Sequence, residues 1–283
     1  MKRTWSEKIR RAADAALHNK SFVMGLVLIG FLLIIALFPQ LFTSYDPTKL
    51  DPSHKMLSPS AEHLFGTDNY GRDVFARCIY ATRVDLQVGF FSAIVPFAFG
   101  TVMGILAGYY GKWVDMVVMR FLDVVMALPF TILVVAIMAV LGNGIRNMYI
   151  AIWIIGWVTF TKLVRAEVLV MKNSEFLMAL RISGFSDMRI IFRHILPNAV
   201  SSAIVYLASY IVMCMLTCAS LSFLGLGVQP PTPEWGSLMN DGRAYLAQAP
   251  WITCFPGIFI AVAGVGFSLL GDGMSDFLRA RGR

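Results

Sequence analysis

Three groups of residues have types and spacings that could do chemistry. Gly66-Thr-Asp-Asn-Tyr-Gly71-Arg72-Asp73 has the glycine spacing of a phosphate-binding loop. Arg72, however, stands where that loop needs lysine, and Asp73 where it needs the Ser or Thr that holds magnesium; a carboxylate there repels phosphate. Cys214 and Cys218 share a helix face at i, i+4 with Met215 nearby, as soft metal ligands or as the small polarizable packing residues common in apolar runs. His18, His54, His63 and His194 lack a metal-ligand spacing such as H-E-x-x-H. No apolar run pairs a Ser or Cys nucleophile with a His, or sets two carboxylates together, as a membrane-embedded enzyme would need. The chain reads as able to form a path but not to power it.

The stretch Glu175–Asn198 is of another kind. It reads as two short helices meeting at a glycine. Asn173 or Ser174 can cap the first, and Glu175 places a negative charge in its first turn. Gly184 follows the last periodic residue, where a left-handed backbone is easiest for glycine. Ser186 can cap the second helix, and Asp187 repeats the first-turn acid. Pro197 is expected to mark the boundary with the next span. Phe176, Ala179, Leu180 and Ser183 share one face by i, i+3, i+4, i+7 spacing. A small, partly apolar wedge between two membrane-spanning segments suits pressing on a partner.

Hydropathy defines the elements that position these groups. The chain has 283 residues, 57% hydrophobic and only 14% charged, far from the balance of a soluble domain, whose helices keep a polar face. Six apolar runs are expected to cross a bilayer: Phe22–Phe42, Val88–Tyr110, Val124–Gly144, Asn147–Val164, Ala199–Phe223 and Trp251–Gly271. The first is too long for a signal-peptide core, and Pro39-Gln40-Leu41 offers no small-residue cleavage site, so it reads as a retained anchor. The expected organisation is a basic arm over 1–20, a first span over 21–43 and an external segment over 44–87. A five-span core over 88–271 contains the wedge within 165–198, and 272–283 form a tail. Lys112 to Asp123 reads as a short turn, and Lys162 and Arg165 as snorkelling to the interface.

The net charge of +7 lies beside the spans and is a topology signal rather than a nucleic-acid footprint. Lys and Arg number 17 on the side of the termini and 7 on the other, which places both termini and the wedge in the cytoplasm. The cysteines fall mostly in apolar runs and predict no disulfide framework. The middle of the spans holds no Asp, Glu, Lys, Arg or His, against a proton- or sodium-coupled transporter. On the external side, Thr67, Asp68 and Asp73 are expected to cap turns, with Arg77 and Arg83 at headgroup level. A purely structural membrane anchor remains an open alternative.

Four motifs resemble the inner-membrane permease subunits of ATP-binding-cassette importers, more narrowly the C-type permease of the dipeptide, oligopeptide and nickel group. They are His63-Leu-Phe-Gly-Thr-Asp-Asn-Tyr-Gly-Arg-Asp-Val-Phe-Ala-Arg77 through Arg83; Gly108-Tyr-Tyr-Gly111 with Asp115, Arg120, Asp123 and Pro129; the Glu175–Asn198 stretch, similar to the family's cytoplasmic "EAA" loop; and Ser222-Phe-Leu-Gly-Leu-Gly227 through Glu234-Trp-Gly236 and Gly271-Asp-Gly273. The resemblance spans about residues 20–280. It implies an all-α fold of the type I importer permease class in a bacterial inner membrane. It also implies a second homologous permease, two cytoplasmic ATPases that hold the ATP and magnesium, an external solute-binding protein, and no cofactor or nucleic acid on this chain. It gives Glu175, Phe176, Met178, Ala179, Leu180, Gly184, Ser186, Asp187, Arg193 and Pro197 to docking on the ATPase. Gly66, Thr67, Asp68, Gly71, Arg72, Asp73 and Arg77 form the external motif. Glu234 and Trp235 are the expected contact for the binding protein. The family's Glu-Ala-Ala is Met178-Ala179-Leu180 here, with Glu175 one helical turn earlier. Cargo is read as peptides, with nickel or a metallophore as the alternative.

Overall fold

The computed structural model describes residues 19–281, with side chains through Asp276. The basic arm before Asn19 and Arg283 lie outside the described residues, as do the side chains of Arg279 and Arg281. Apart from one isolated bridge between Thr67 and Asp73, the regular structure described is helical. The main helices are α1 (Lys20–Leu37), α2 (Val74–Tyr110), α3 (Lys112–Met126), α4 (Phe130–Leu141), α5 (Ile145–Lys172), α6 (Glu175–Ile182), α7 (Asp187–Ile190), α8 (Leu196–Phe223), α9 (Trp235–Gly242) and α10 (Trp251–Arg281).

All six apolar runs are helical. Four helices are long and apolar enough to cross a membrane: α1, α2, the run Asp187–Phe223, and α10 over Trp251–Asp276. A fifth span is made if α3 and α4, bent by 84° from one another, count as one. α5 is long enough, at about 42 Å for its length, but Asn147, Tyr149, Trp153, Trp157, Thr161 and Lys162 dilute its apolar character.

α2 runs 37 residues and begins well before the expected Val88. Asp73 caps it, accepting from the Ala76 N–H at 2.7 Å. Several polar groups of its first turns are paired inside the fold, although the buried Arg77 Nε is not. Thr82 donates to the Cys78 carbonyl at 3.1 Å, and Arg77 and Asp85 find partners inside the fold. α5 lies along α2 in close contact. A Cβ added at Gly100, Gly104 or Gly108 would come within 2.5–2.8 Å of α5 atoms. These glycines recur every fourth residue, on one helical stripe, and let two backbones meet where hydrocarbon supplies no hydrophobic drive.

Two boundaries differ from expectation. Lys112 to Asp123 is not a turn but most of helix α3. The helix breaks later, at Ala127–Pro129, because Pro129 can neither donate to the preceding turn nor fit inside it. Pro197 does not separate the wedge from the next span. α7 passes through a π turn, Ile191–Ile195, into α8, and Pro197 sits in the first turn of α8. The wider turn closes with Leu196 N–H on the Ile191 carbonyl, and the Asn198 amide donates to the His194 carbonyl at 2.7 Å.

Candidate functional site

The wedge forms as a capped helix, a glycine stop and a second start. Ser174 Oγ accepts from the Leu177 N–H at 3.4 Å, so Ser174 rather than Asn173 is the cap. Gly184, at φ +77°, donates to the Arg181 carbonyl at 3.0 Å, and Phe185 N–H donates to the Leu180 carbonyl at 3.2 Å. That pair of bonds is the left-handed stop that glycine makes easily. A Cβ at Gly184 would meet nothing, so the residue is required by its backbone angle alone.

Leu177 is the buried residue of α6. Phe176, Met178, Ala179, Ile182, Met188 and Phe192 are exposed, and Leu180 is half-buried. Glu175, Ser186 and Arg193 are exposed as well. Ser186 holds the cap position of α7 but makes no side-chain cap bond. The result is an apolar outward face on a short helical pair rimmed by charge.

Both halves of this wedge fasten to the last turn of α2. The buried Tyr109 donates its hydroxyl to Asp187 Oδ1 at 2.5 Å, and the Arg181 guanidinium lies 5.0 Å from the centre of its ring. Nearby, Arg165 on α5 does not snorkel; it grips Asp115 of α3 with two bonds at 2.5 and 2.6 Å. A hydrogen bond to a charged group contributes about 1.5–3 kcal/mol, so Tyr109→Phe should speed amide exchange across α6–α7 by at least about tenfold. Unchanged exchange would mean that the Tyr109 hydroxyl does not hold the wedge.

The opposite end of α2, some 55 Å away at 1.5 Å per residue, carries the Gly66–Arg77 motif. Gly66 and Gly71 have φ of +72° and +77° and turn the chain sharply. Thr67 Oγ1 accepts from Leu57 N–H and donates to the His54 carbonyl. Asp68, 1% exposed, accepts from Tyr70 and Arg72 N–H on one oxygen and from Arg72 Nε (2.6 Å) and Arg77 Nη1 (2.5 Å) on the other. Both arginines also reach Asp241 of α9, at 3.0 and 3.3 Å. Arg77 is therefore not free to reach headgroups: it is 2% exposed, in a cluster of two cations and two anions. Arg83 is exposed. Asp73, besides capping α2, meets His63 Nδ1 at 2.9 Å.

Glu234 and Trp235 also depart from expectation. They are 1% and 0% exposed, so neither side chain of this chain can reach a docking protein. Glu234 caps α9, accepting from Gly236 and Ser237 N–H at 2.9 and 2.8 Å. Burial nonetheless lifts its carboxyl above the usual range. Asp85 accepts from Trp235 N–H at 3.0 Å, and the indole donates to the Cys78 carbonyl at 3.1 Å. Cys214 and Cys218 are buried, and no group of three or more metal-binding side chains occurs among the described residues.

Tyr109, Asp241 and Asp85 are the residues that sequence reasoning misses. For Asp85 and Asp241 the signal would have been a charge near an apolar run with no local partner. For Tyr109 there is none, because its partner lies 78 residues away.

A multi-pass helical bundle is thus joined by one long helix to a polar cluster at one end and an exposed apolar wedge at the other, with no catalytic constellation among the described residues. Residues 100–283 match the family described as the inner membrane component of binding-protein-dependent transport systems. Residues 9–59 match the N-terminal membrane domain of oligopeptide transport permease C. The chain is 43% identical to a dipeptide transport system permease protein of Alkalihalophilus pseudofirmus, over 95% of this chain and 88% of that one. It is 42% identical to a glutathione transport system permease protein of Pectobacterium atrosepticum and 43% to one of Escherichia coli, in each case over 87% of this chain and 82% of the relative. The chain belongs to the binding-protein-dependent transport permeases: it is a membrane transport component, not an enzyme.

Proposed function

We propose that the chain forms half of the path of an ATP-driven importer for short peptides, paired with a second homologous permease. Two cytoplasmic ATPases, which hold the ATP and magnesium, drive it, and an external binding protein delivers the cargo. The relatives named for dipeptides and glutathione favour short peptides over nickel or a metallophore. The 17-to-7 distribution of Lys and Arg supports termini and wedge on the cytoplasmic side.

The observation that carries this reading is the wedge itself. An exposed apolar surface on two short helices calls for a partner, and its two halves are fixed to α2 through Tyr109. A partner that changes spacing on closing around ATP moves that end of α2, and the helix carries the motion across the bilayer. ATP closure drives the paired wedges together and opens the path outward; hydrolysis returns it inward.

The test is peptide uptake into proteoliposomes holding the complete transporter, with and without its ATPases. Uptake is expected only with them. Gly184→Val forces a β-branched residue to positive φ, at a cost of about 1–2 kcal/mol or more. It should lower both uptake and peptide-stimulated ATP turnover severalfold while the chain still inserts. Normal uptake by that variant would remove the wedge from the mechanism, and uptake without the ATPases would end the proposal.

A further inference from the structure

We propose that Asp85 and Glu234 hold one proton between them, forming a clasp that fastens α9 to α2 only while that proton is in place. The pair stands at the same end of α2 as the ion cluster, yet no cation serves it.

This chain alone buries both residues. Asp85 is 3% exposed and Glu234 1%, so their surroundings are set by its own elements. Asp85 Oδ2 accepts from the Trp235 N–H at 3.0 Å, which brings its carboxyl against the residue next to Glu234. The two carboxyls are within hydrogen-bond reach of each other. A carboxylate can only accept, so a hydrogen bond between the two requires that one carry a proton. Neither forms an ion pair among the described residues. Arg77, earlier on α2, is engaged by Asp68 and Asp241, and Arg83 is exposed. The other groups facing the pair bring no positive charge. They are the thiols of Cys78 on α2 and Cys218 on α8, and the Ser222 hydroxyl, also on α8. From α10 comes Phe259, with its ring centre 5.8 Å from that of Trp235. Two adjacent buried anions with nothing to balance them do not persist, and one proton removes one of them.

The proton belongs to the pair, and the donors place it toward Asp85. Glu234 accepts from Gly236 N–H on one oxygen, from Ser237 N–H on the other, and from the Ser222 hydroxyl. Ser222 Oγ in turn accepts from Val228 N–H at 3.1 Å. Glu234 is thus equipped as the anion. Asp85 takes the single N–H of Trp235, which leaves its other oxygen to carry the proton.

The carboxyls cannot ease apart on their own. A Cβ at Gly236 would lie 2.3 Å from the Ala219 carbonyl oxygen, so the start of α9 is pressed onto α8. Trp235 is fully buried and its indole is held by the Cys78 carbonyl. Loss of the proton sets two anions against each other in place, and relief requires α9 to move. Asp241, further along the same helix, joins Arg72 and Arg77, so a loosened α9 also disturbs the ion cluster.

The test is the pH dependence of unfolding of the complete transporter, parent against Asp85→Asn. The asparagine still accepts from the Trp235 N–H, and its amide donates toward Glu234 at every pH. In the folded parent the pair keeps a proton that the unfolded chain gives up above about pH 4–5. Stability therefore falls as pH rises, until the pair itself ionises. Between about pH 6 and about pH 8 the unfolding constant of the parent, relative to the variant, should rise about tenfold per pH unit, as one retained proton requires. At the alkaline end the variant should be the more stable of the two. Infrared spectra at neutral pH should show the carbonyl stretch of a protonated carboxylic acid in the parent, and Asp85→Asn should remove it. Parallel pH profiles, or a spectrum that the substitution leaves unchanged, would show that the pair holds no proton and would overturn the inference. A variant that fails to assemble would overturn it too, because a shared proton makes asparagine a close substitute at this bond.

Discussion

Arg77→Met is expected to destabilise the protein by about 3–5 kcal/mol, the range seen when one partner of a buried ion pair is removed. The side chain volume is nearly kept, so the loss is electrostatic. Arg72, Arg77, Asp68 and Asp241 balance two against two. Without Arg77 the cluster is left with an excess negative charge at Asp68, which is almost fully buried. Arg77→Lys should recover only part of the loss, because an ammonium is a more strongly hydrated point charge than a guanidinium and costs more to hold at this almost fully buried position. Arg77→Met with Asp68→Asn should recover more, since it removes the stranded charge along with the cation. The measurement is thermal unfolding of the purified complex, read beside protease cutting within residues 44–73. If the single variant melts with the parent, the cluster contributes nothing and the outer segment is held by packing alone. If the double variant is worse than the single, the charges do not act as one unit.

Much of the fold was legible because its signals are local. Each of the six apolar runs is helical, and the wedge is capped and stopped where Ser174 and Gly184 predict. The break in the third run was legible too, in Pro129, although hydropathy alone draws a single span over 124–144. What the chain's pattern does not disclose is how polar residues are satisfied at a distance. Asp241 meets Arg72 and Arg77 from 164 or more residues away, and Trp235 meets Asp85 across 150. Without those partners, Arg77 reads as a headgroup arginine and Glu234 as a loop acid open to solvent. The same reasoning shortens α2. Its first turns look too polar for a span, yet Arg77, Thr82 and Asp85 each find a partner inside the protein, and the helix begins at Val74, capped by Asp73.

Gly104→Leu should leave little assembled transporter. A Cβ at this position would sit 2.7 Å from the Thr161 carbonyl oxygen and 2.8 Å from Val164 Cβ, so α2 and α5 must part before any larger side chain fits. Overpacking by even a methyl or two costs about 1–3 kcal/mol, and here the obstacle is backbone, which cannot rotate aside. Parting the helices also lengthens the bond from Thr161 Oγ1 to the Gly100 carbonyl, now 3.2 Å, and loosens contacts along the Gly100–Gly104–Gly108 stripe. Lipid tails compete equally for apolar surface, so close packing is what holds such helices together, and a gap is not repaired by a compensating hydrophobic gain. The expected order of melting temperature and of complex recovered is Gly104, then Ala, then Leu, with uptake falling in the same order. Because α2 joins the polar cluster to the wedge, a Gly104→Ala protein that still assembles should lose peptide uptake per ATP before it loses ATP turnover. A Leu variant as stable and active as the parent would mean that α2 and α5 do not approach this closely in the membrane, and that the rod between the two ends is not braced as the geometry indicates.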